Sequence, residues 1–251
     1  HRVRWSIGNW VPCTSLPKTA ACMRRMRHPS NHLVVANFAL SAASNSAANV
    51  NYDPQGTKTA EIGGKWDALD KRLALTAAVY RTEITNEVEG NATDGYFQTG
   101  KKRVQGIELG VVGDITSAWA VSAGYTVMNT KVTSGAVVAA DGTRGLSYTP
   151  KQAFTAWTTY KLPGGFTIGG GARFVDSLRK PSDGAVGTPT HTESYWVYDA
   201  MATYAVTKNF DLQLNLYNLT DKEYVASINK SGYRYTPGIE RSARLTANIR
   251  F

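Results

Sequence analysis

The side chains in this sequence that could do chemistry fall into three groups, and two of them lack the spacing their chemistry needs. Cys13, Cys22, His28 and His32 are zinc-type ligands, and His28-x3-His32 is an accepted histidine spacing. The cysteines, however, have eight residues between them rather than two to four, and only five separate Cys22 from His28. A disulfide between them would suit an oxidising periplasm, a pairing the sequence leaves open. The second group is His191 near Ser194. No motif accompanies it to supply a nucleophile, and a single loop histidine is ordinarily solvated. No phosphate loop, dinucleotide fingerprint or HExxH run occurs, so an enzyme and a resident cofactor are not expected. The third group is cationic and aromatic: Lys101, Lys102 and Arg103; Arg179 and Lys180; and Lys230, Tyr233, Arg234 and Tyr235. Each taken singly reads as a solvated residue, but together they could receive an anion.

The elements that must position these residues are strands. At the end of the chain, Phe210, Leu212, Leu214 and Leu216 alternate with Asp211, Gln213 and Asn215. Ala243, Leu245, Ala247, Ile249 and Phe251 then alternate with Ser242, Arg244, Thr246, Asn248 and Arg250. Successive strand side chains point to opposite faces, so each segment has one apolar and one polar wall. Upstream, Trp119, Val121, Ala123, Tyr125 and Val127 form such a wall, as do Phe166, Ile168, Gly170, Ala172 and Phe174. Trp196, Tyr198, Ala200, Ala202 and Tyr204 form another, and Ile62, Gly64 and Trp66 a shorter one. Strands are expected near 58–68, 72–86, 99–113, 119–131, 151–161, 166–178, 194–206, 210–220 and 241–251. A further short one is expected at Phe38–Ser41. Short connections at 69–71, 114–118, 162–165 and 207–209 alternate with long ones near 87–98, 132–150, 179–193 and 221–240. Outer-membrane barrels segregate loop length in this way, with short periplasmic turns and long extracellular loops. Trp66, Trp119, Trp196 and Tyr204 fall near strand ends, where an interfacial girdle would place them. Gly169-Gly170-Gly171 inside a strand is read as room for close packing against something in the lumen. The expected fold is therefore an all-β, antiparallel transmembrane barrel, with the apolar walls against lipid.

Composition agrees with that reading. In 251 residues the sequence holds 42% hydrophobic residues, 23 Gly and 13 Tyr, and no run near ~18 consecutive apolar residues. Only every second residue of a barrel strand need be apolar. The net charge of +9 comes from cations spread along alternating strands. With no helix-turn-helix or zinc-finger signature, nucleic acid is not an expected partner.

The run Leu-Asn-Leu-Tyr-Asn-Leu-Thr-Asp-Lys-Glu-Tyr (214–224), followed by Arg-Leu-Thr-Ala-Asn-Ile-Arg-Phe (244–251), resembles the C-terminal end of TonB-dependent siderophore receptors. The loop Val-Ala-Ser-Ile-Asn-Lys-Ser-Gly-Tyr-Arg-Tyr (225–235) resembles the catecholate receptors of that family in particular. So do Lys-Thr-Ala-Glu-Ile-Gly (58–63), Gly-Lys-Lys-Arg-Val (100–104) and Ser-Asp-Gly-Ala-Val-Gly-Thr-Pro (182–189). The resemblance implies a barrel of about 22 strands around an N-terminal plug, of which this chain would supply the last nine or so. It implies uptake of a ferric catecholate siderophore across the cell outer membrane, energised by the TonB complex. Iron would arrive wrapped by the siderophore, so no metal ligand is expected. A tris-catecholate of iron(III) is bulky, aromatic and about triply anionic, and Arg, Lys and Tyr suit its charge and rings. On the same resemblance Phe251 is the signal read by the barrel-assembly machinery.

The match runs from about Asn37 to Phe251. Residues 1–36 are read as an atypical segment not native to the family. The chain has no Met start, signal peptide, plug or TonB box, so it is expected to be a fragment, and not to close or transport alone. The competing expectations are a passive porin-like channel and, less suited to these residues, an outer-membrane enzyme.

Overall fold

The computed structural model describes residues 51–91 and 95–251, the strand segments Ala20–Arg27 and Ser30–Asn31, and a few positions between 42 and 49. The cysteine–histidine reading and the strand expected at Phe38–Ser41 lie outside the described residues. Thirteen strands occur among the described residues: β1 (Ala20–Arg27), β2 (Ser30–Asn31), β3 (Gln55–Ala68), β4 (Leu73–Asn91), β5 (Gly95–Asp114), β6 (Trp119–Ser134) and β7 (Gln152–Lys161). A 3-10 turn at Pro163–Gly165 leads into β8 (Phe166–Val175). There follow β9 (Tyr195–Ala205), β10 (Phe210–Tyr217), β11 (Val225–Ile228), β12 (Tyr235–Pro237) and β13 (Ser242–Ile249). No helix among the described residues is long and apolar enough to cross a membrane, which says nothing of a barrel.

Eleven strands form one sheet in the order β1-β3-β4-β5-β6-β7-β8-β9-β10-β13, with β2 also on β3. Every ladder between sequential neighbours is antiparallel. Nine of the strands are those expected from alternation. Among the described residues no ladder joins β13 to β1 or β2, so the sheet is open. The β3 side of the sheet is extended by β1, which lies antiparallel along β3 from Ala20↔Trp66 to Arg27↔Thr59.

The ladders put the apolar walls in rows. Trp119, Tyr160, Ile168, Ala202, Leu214 and Leu245 are mutually opposed across six strands. Six residues along, Tyr125, Phe154, Phe174 and Trp196 make a second aromatic row. At ~3.3 Å per residue these belts stand roughly 20 Å apart, close to the height of an outer-membrane apolar band. In the first belt Phe166 stacks on Tyr204 at 4.4 Å. In the second, Phe174 lies 5.0 Å from Trp196. Trp196 thus belongs to the girdle opposite Trp119 and Tyr204. Ile62, Val79, Ile168, Leu245 and Ile249 are exposed, as side chains solvated by lipid must be. The other face carries Lys65, Glu108, Arg173, Asp199, Gln213 and Arg244, which makes it the lumen.

One expectation needs correction. The loop expected near 87–98 is a continuation of β4 and β5, paired up to Asn91↔Gly95 with irregularities between Ile84, Glu87 and Glu89. These strands have 19 and 20 residues, about twice what a barrel span needs, so their hairpin projects well beyond the membrane. The triple glycine also makes room for neighbouring strands. A Cβ at Gly171 would fall 2.4 Å from the ring of Trp157, and one at Gly169 3.2 Å from the Met201 methyl.

The face assignment makes a direct prediction. Ala156 lies midway between the girdles on the apolar face, opposite Ala123 and Ala172, whereas Thr155 faces the lumen. Ala156→Lys in the membrane-embedded receptor should cost roughly 2–4 kcal/mol and Thr155→Lys well under half of that, read by urea unfolding in detergent or bilayers.

Candidate functional site

The long connections converge on one side of the sheet and bind one another. The β6–β7 connection meets the β8–β9 connection through the bridge Ala139↔Pro181. Arg179 Nε donates to Asp141 Oδ2 at 2.8 Å, and Ser182 N donates to Val138 O at 2.8 Å. Burial alone would raise the Asp141 pKa. Hydrogen bonds from Thr143 and Arg179, with the guanidinium charge, outweigh it and hold the carboxyl below its ordinary value. The clasp is therefore in force above the ordinary carboxylate pKa and is lost only as pH falls through that depressed value. The β8–β9 connection in turn meets the β10–β13 connection, where Lys230 Nζ pairs with Asp183 Oδ2 at 2.5 Å.

Lys180 sits in the middle of this assembly, only 3% exposed. Its ammonium donates to Ala185 O at 2.7 Å and to Thr188 Oγ1, while its backbone joins Thr190 and Ala140. An ammonium so enclosed is satisfied internally and holds the loops rather than facing a ligand. Lys102 lies on the lumen face of β5 and pairs with Glu87 Oε1 at 2.5 Å. Arg103 falls on the opposite, outward row, aligned with Glu83 and Lys131. All three basic residues at 101–103 are therefore on a strand, not in a loop. Lys101, Tyr233, Arg234 and Tyr235 are exposed.

Sequence reasoning missed the group that closes over the lumen. The β10–β13 connection forms its own hairpin, β11 with β12, and folds back so that Tyr195 and Val197 of β9 become buried. Tyr224 lies against Tyr195 with ring centroids 4.2 Å apart, and its hydroxyl accepts from Arg173 Nη2 at 3.1 Å. Gly238 makes this approach feasible, because a Cβ there would lie 2.1 Å from the Tyr224 ring. Tyr195, Tyr224 and Tyr235 line a cavity of about 710 Å³, with Arg173 behind Tyr224. Its rim also holds Glu193, Asp221, Glu223 and Glu240 against Lys222 and Arg241. Four carboxylates against two cations leave this rim with a negative balance.

Asn218 fixes where this loop starts and ends. It is 1% exposed, and its φ of 50° lies in the left-handed region that Asn tolerates. Its Nδ2 donates to Lys222 O and Ile239 O, both at 2.9 Å, and its Oδ1 accepts from Lys222 N at 2.9 Å. Its backbone N–H donates to Asp199 Oδ1 at 2.8 Å. One residue thus ties both ends of the long loop together through its side chain, and to β9 through its backbone N–H. The Asn-Leu-Thr-Asp-Lys run carried it in the sequence, but nothing there disclosed contacts twenty residues on.

A lipid-facing apolar band, a polar inner wall and tall interlocked loops on one side define the barrel of an outer-membrane receptor. Residues 26–219 match the family described as TonB dependent receptor-like, beta-barrel, and the chain belongs to that family. It is 54% identical over 217 residues to the catecholate siderophore receptor Fiu of Escherichia coli K12, covering 86% of this chain and 29% of that protein. It is 40% identical over 215 residues to the probable TonB-dependent siderophore receptor PiuA of Acinetobacter baumannii, covering 82% of this chain and 28% of that protein. Among solved structures it superposes on the closed form of the ferric-catecholate import receptor Fiu with a TM-score of 0.88 and 50% identity, over 94% of this chain and 34% of that one. On the A. baumannii PiuA structure the TM-score is 0.78, at 35% identity, over 93% of this chain and 34% of that one. The chain thus spans less than a third of the length of the curated relatives it matches. Proteins of this family reside in the outer membrane, where the girdles and apolar band place this sheet.

The Asn218 contacts yield a prediction. Asn218→Leu in the intact receptor removes three buried side-chain hydrogen bonds and should destabilise the β10–β13 loop by about 2–4 kcal/mol. Limited proteolysis between residues 222 and 239 should accelerate while the barrel itself stays folded.

Proposed function

We propose that this chain is the C-terminal barrel portion of an outer-membrane receptor that takes up ferric catecholate siderophores with energy from the TonB complex. The supporting observation is the mouth: interlocked loops whose exposed surface combines cations with tyrosines, over a cavity lined by Tyr195, Tyr224 and Tyr235. Lys101, Lys102, Arg179, Lys230 and Arg234 are the cations suited to the negative charge of such a complex. Tyr233 and Tyr235, 71% and 62% exposed, are suited to its rings. Lys180 acts as a positioning residue within the loops, and Arg103 stands apart on the outward face. The ligand is the cargo, and no resident cofactor or metal takes part in this reading. The expected division into an atypical segment 1–36 and a barrel portion 37–251 is proposed with its boundary moved to the start of the family match, at residue 26. Phe251, fully exposed beyond the end of β13, suits recognition by the barrel-assembly machinery.

This reading is favoured over a porin-like channel because neighbouring long loops are tied to one another rather than held apart. The test is a binding titration on the intact receptor that contains this chain. Lys101→Gln with Arg234→Gln should weaken a ferric tris-catecholate on the order of tenfold, and an uncharged ferric siderophore much less. Equal loss for both ligands would remove the charge-reading role. Size-dependent sugar permeation by the receptor in liposomes would instead support the porin.

A further inference from the structure

The cavity beneath the β10–β13 loop carries a charge opposite to that of the mouth around it. Of its two cations, Arg241 is engaged by Asp221, Nη2 to Oδ2 at 3.2 Å, which leaves Lys222 beside Glu193, Glu223 and Glu240. Those three carboxylates are exposed and have no ion-pair partner among the described residues. The walls are aromatic, because Tyr195, Tyr224 and Tyr235 line the same space of about 710 Å³. Tyr195 is only 8% exposed, and its hydroxyl has no hydrogen-bond partner among the described residues. A buried phenol thus lines the cavity with its hydrogen-bonding capacity unused. Tyr195 lies one residue beyond the girdle residue Trp196 and on the opposite face of β9, so the cavity belongs to the mouth and not to the lipid boundary.

We infer that this cavity receives a primary ammonium group carried by the cargo, so that ferric catecholates built on an amine backbone are selected over those without one. An alkylammonium uses every feature present. The carboxylates meet its charge, the Tyr195 hydroxyl accepts from its N–H, and its stem lies against tyrosine faces, which attract cations. A catecholate ring alone would bring negative charge to a negative rim. A metal ion is disfavoured, because among the described residues no three His, Cys, Asp or Glu side chains gather closely enough to hold one. Tyr235 joins the cavity to the outer surface, being 62% exposed and next to Arg234 in the chain. One ligand can therefore rest its anionic iron centre on the outer cations and its ammonium arm in the cavity. This inference rests on the proposed uptake of ferric catecholates and adds which of them the mouth selects.

The test uses two synthetic ferric tris-catecholates on one tripodal scaffold with a single aminobutyl arm, free in one and N-acetylated in the other. Both are titrated by tryptophan fluorescence quenching into the intact receptor that contains this chain. The cations of the mouth favour the acetylated form, which is the more anionic, so a preference for the free amine reports the cavity. The free amine should bind on the order of five- to tenfold more tightly. Glu193→Gln with Glu240→Gln should erase that ratio, whereas Asp70→Asn with Asp114→Asn, an equal charge change at the short turns, should keep it. Tyr195→Phe removes one oxygen only and should also reduce the ratio, which covers the case in which the double variant fails to fold. Equal affinity of the two forms, or a ratio that survives Glu193→Gln with Glu240→Gln, would overturn the inference. If neither ferric complex binds, the uptake reading falls, and butylamine alone, followed by saturation-transfer NMR, decides this one. A butylamine signal lost on Glu193→Gln with Glu240→Gln upholds the ammonium site, and no signal in the unaltered receptor ends it.

Discussion

Hydrocarbon offers a backbone N–H or C=O no partner, and that constraint organises everything else in this chain. Each spanning strand must find its hydrogen bonds on its neighbours, so the spans can only be an antiparallel ladder that closes on itself within a larger barrel. The ladder from β3 to β13 satisfies this strand by strand, in an unbroken sequence of nearest neighbours. Once pairing is compulsory, side chains have just two destinations, lipid or lumen. The sequence alternates accordingly, and the two aromatic belts mark where the hydrocarbon stops. Outside those belts water returns, and the strands are released from the rule. There the backbone bends into the Arg179–Asp141 and Lys230–Asp183 contacts and the hairpin β11–β12.

The division between a compulsory ladder and free loops explains how the site is made. The transmembrane part supplies a stiff frame on which Asp199, Arg173 and Tyr195 hold fixed places. Asn218 transfers that rigidity to the β10–β13 loop, and the loop brings Tyr224 against Tyr195 and Arg173. Lys180 repeats the arrangement for the β8–β9 loop, being buried there as an internal fastener. The long loops are held to one another through a few ion pairs and hydrogen bonds. Each such contact contributes on the order of 1 kcal/mol, so that a rearrangement at the mouth leaves the ladder intact.

Legibility in the sequence followed the same boundary. The nine principal strands and their faces could be read because lipid and lumen enforce alternation residue by residue. The 87–98 stretch reads as loop because beyond the membrane a paired ribbon has no reason to alternate, and Glu87, Glu89 and Asn91 are polar. Arg103 was grouped with Lys101 and Lys102 by adjacency, although neighbours on a strand face opposite ways and the register sends Arg103 outward. Lys180 looked like an exposed cation because its enclosure depends on Ala185 and Thr188, whose approach is tertiary. The Tyr195–Tyr224 pair and Arg173 were invisible for the same reason. They lie 29 and 51 residues from Tyr224 along the chain, and only the folded loop brings them together.

One face of each spanning strand meets lipid and the other meets water, with the long loops on one side. Spin labels placed singly from Thr167 to Arg173 on β8 of the bilayer-embedded receptor test it most directly. Accessibility to oxygen should peak at 168, 170 and 172, and accessibility to a water-soluble nickel chelate should peak at 167, 169, 171 and 173, out of phase with a period of two. In-phase profiles, or a period near that of a helix, would contradict the ladder and the face assignment on which the proposed site rests.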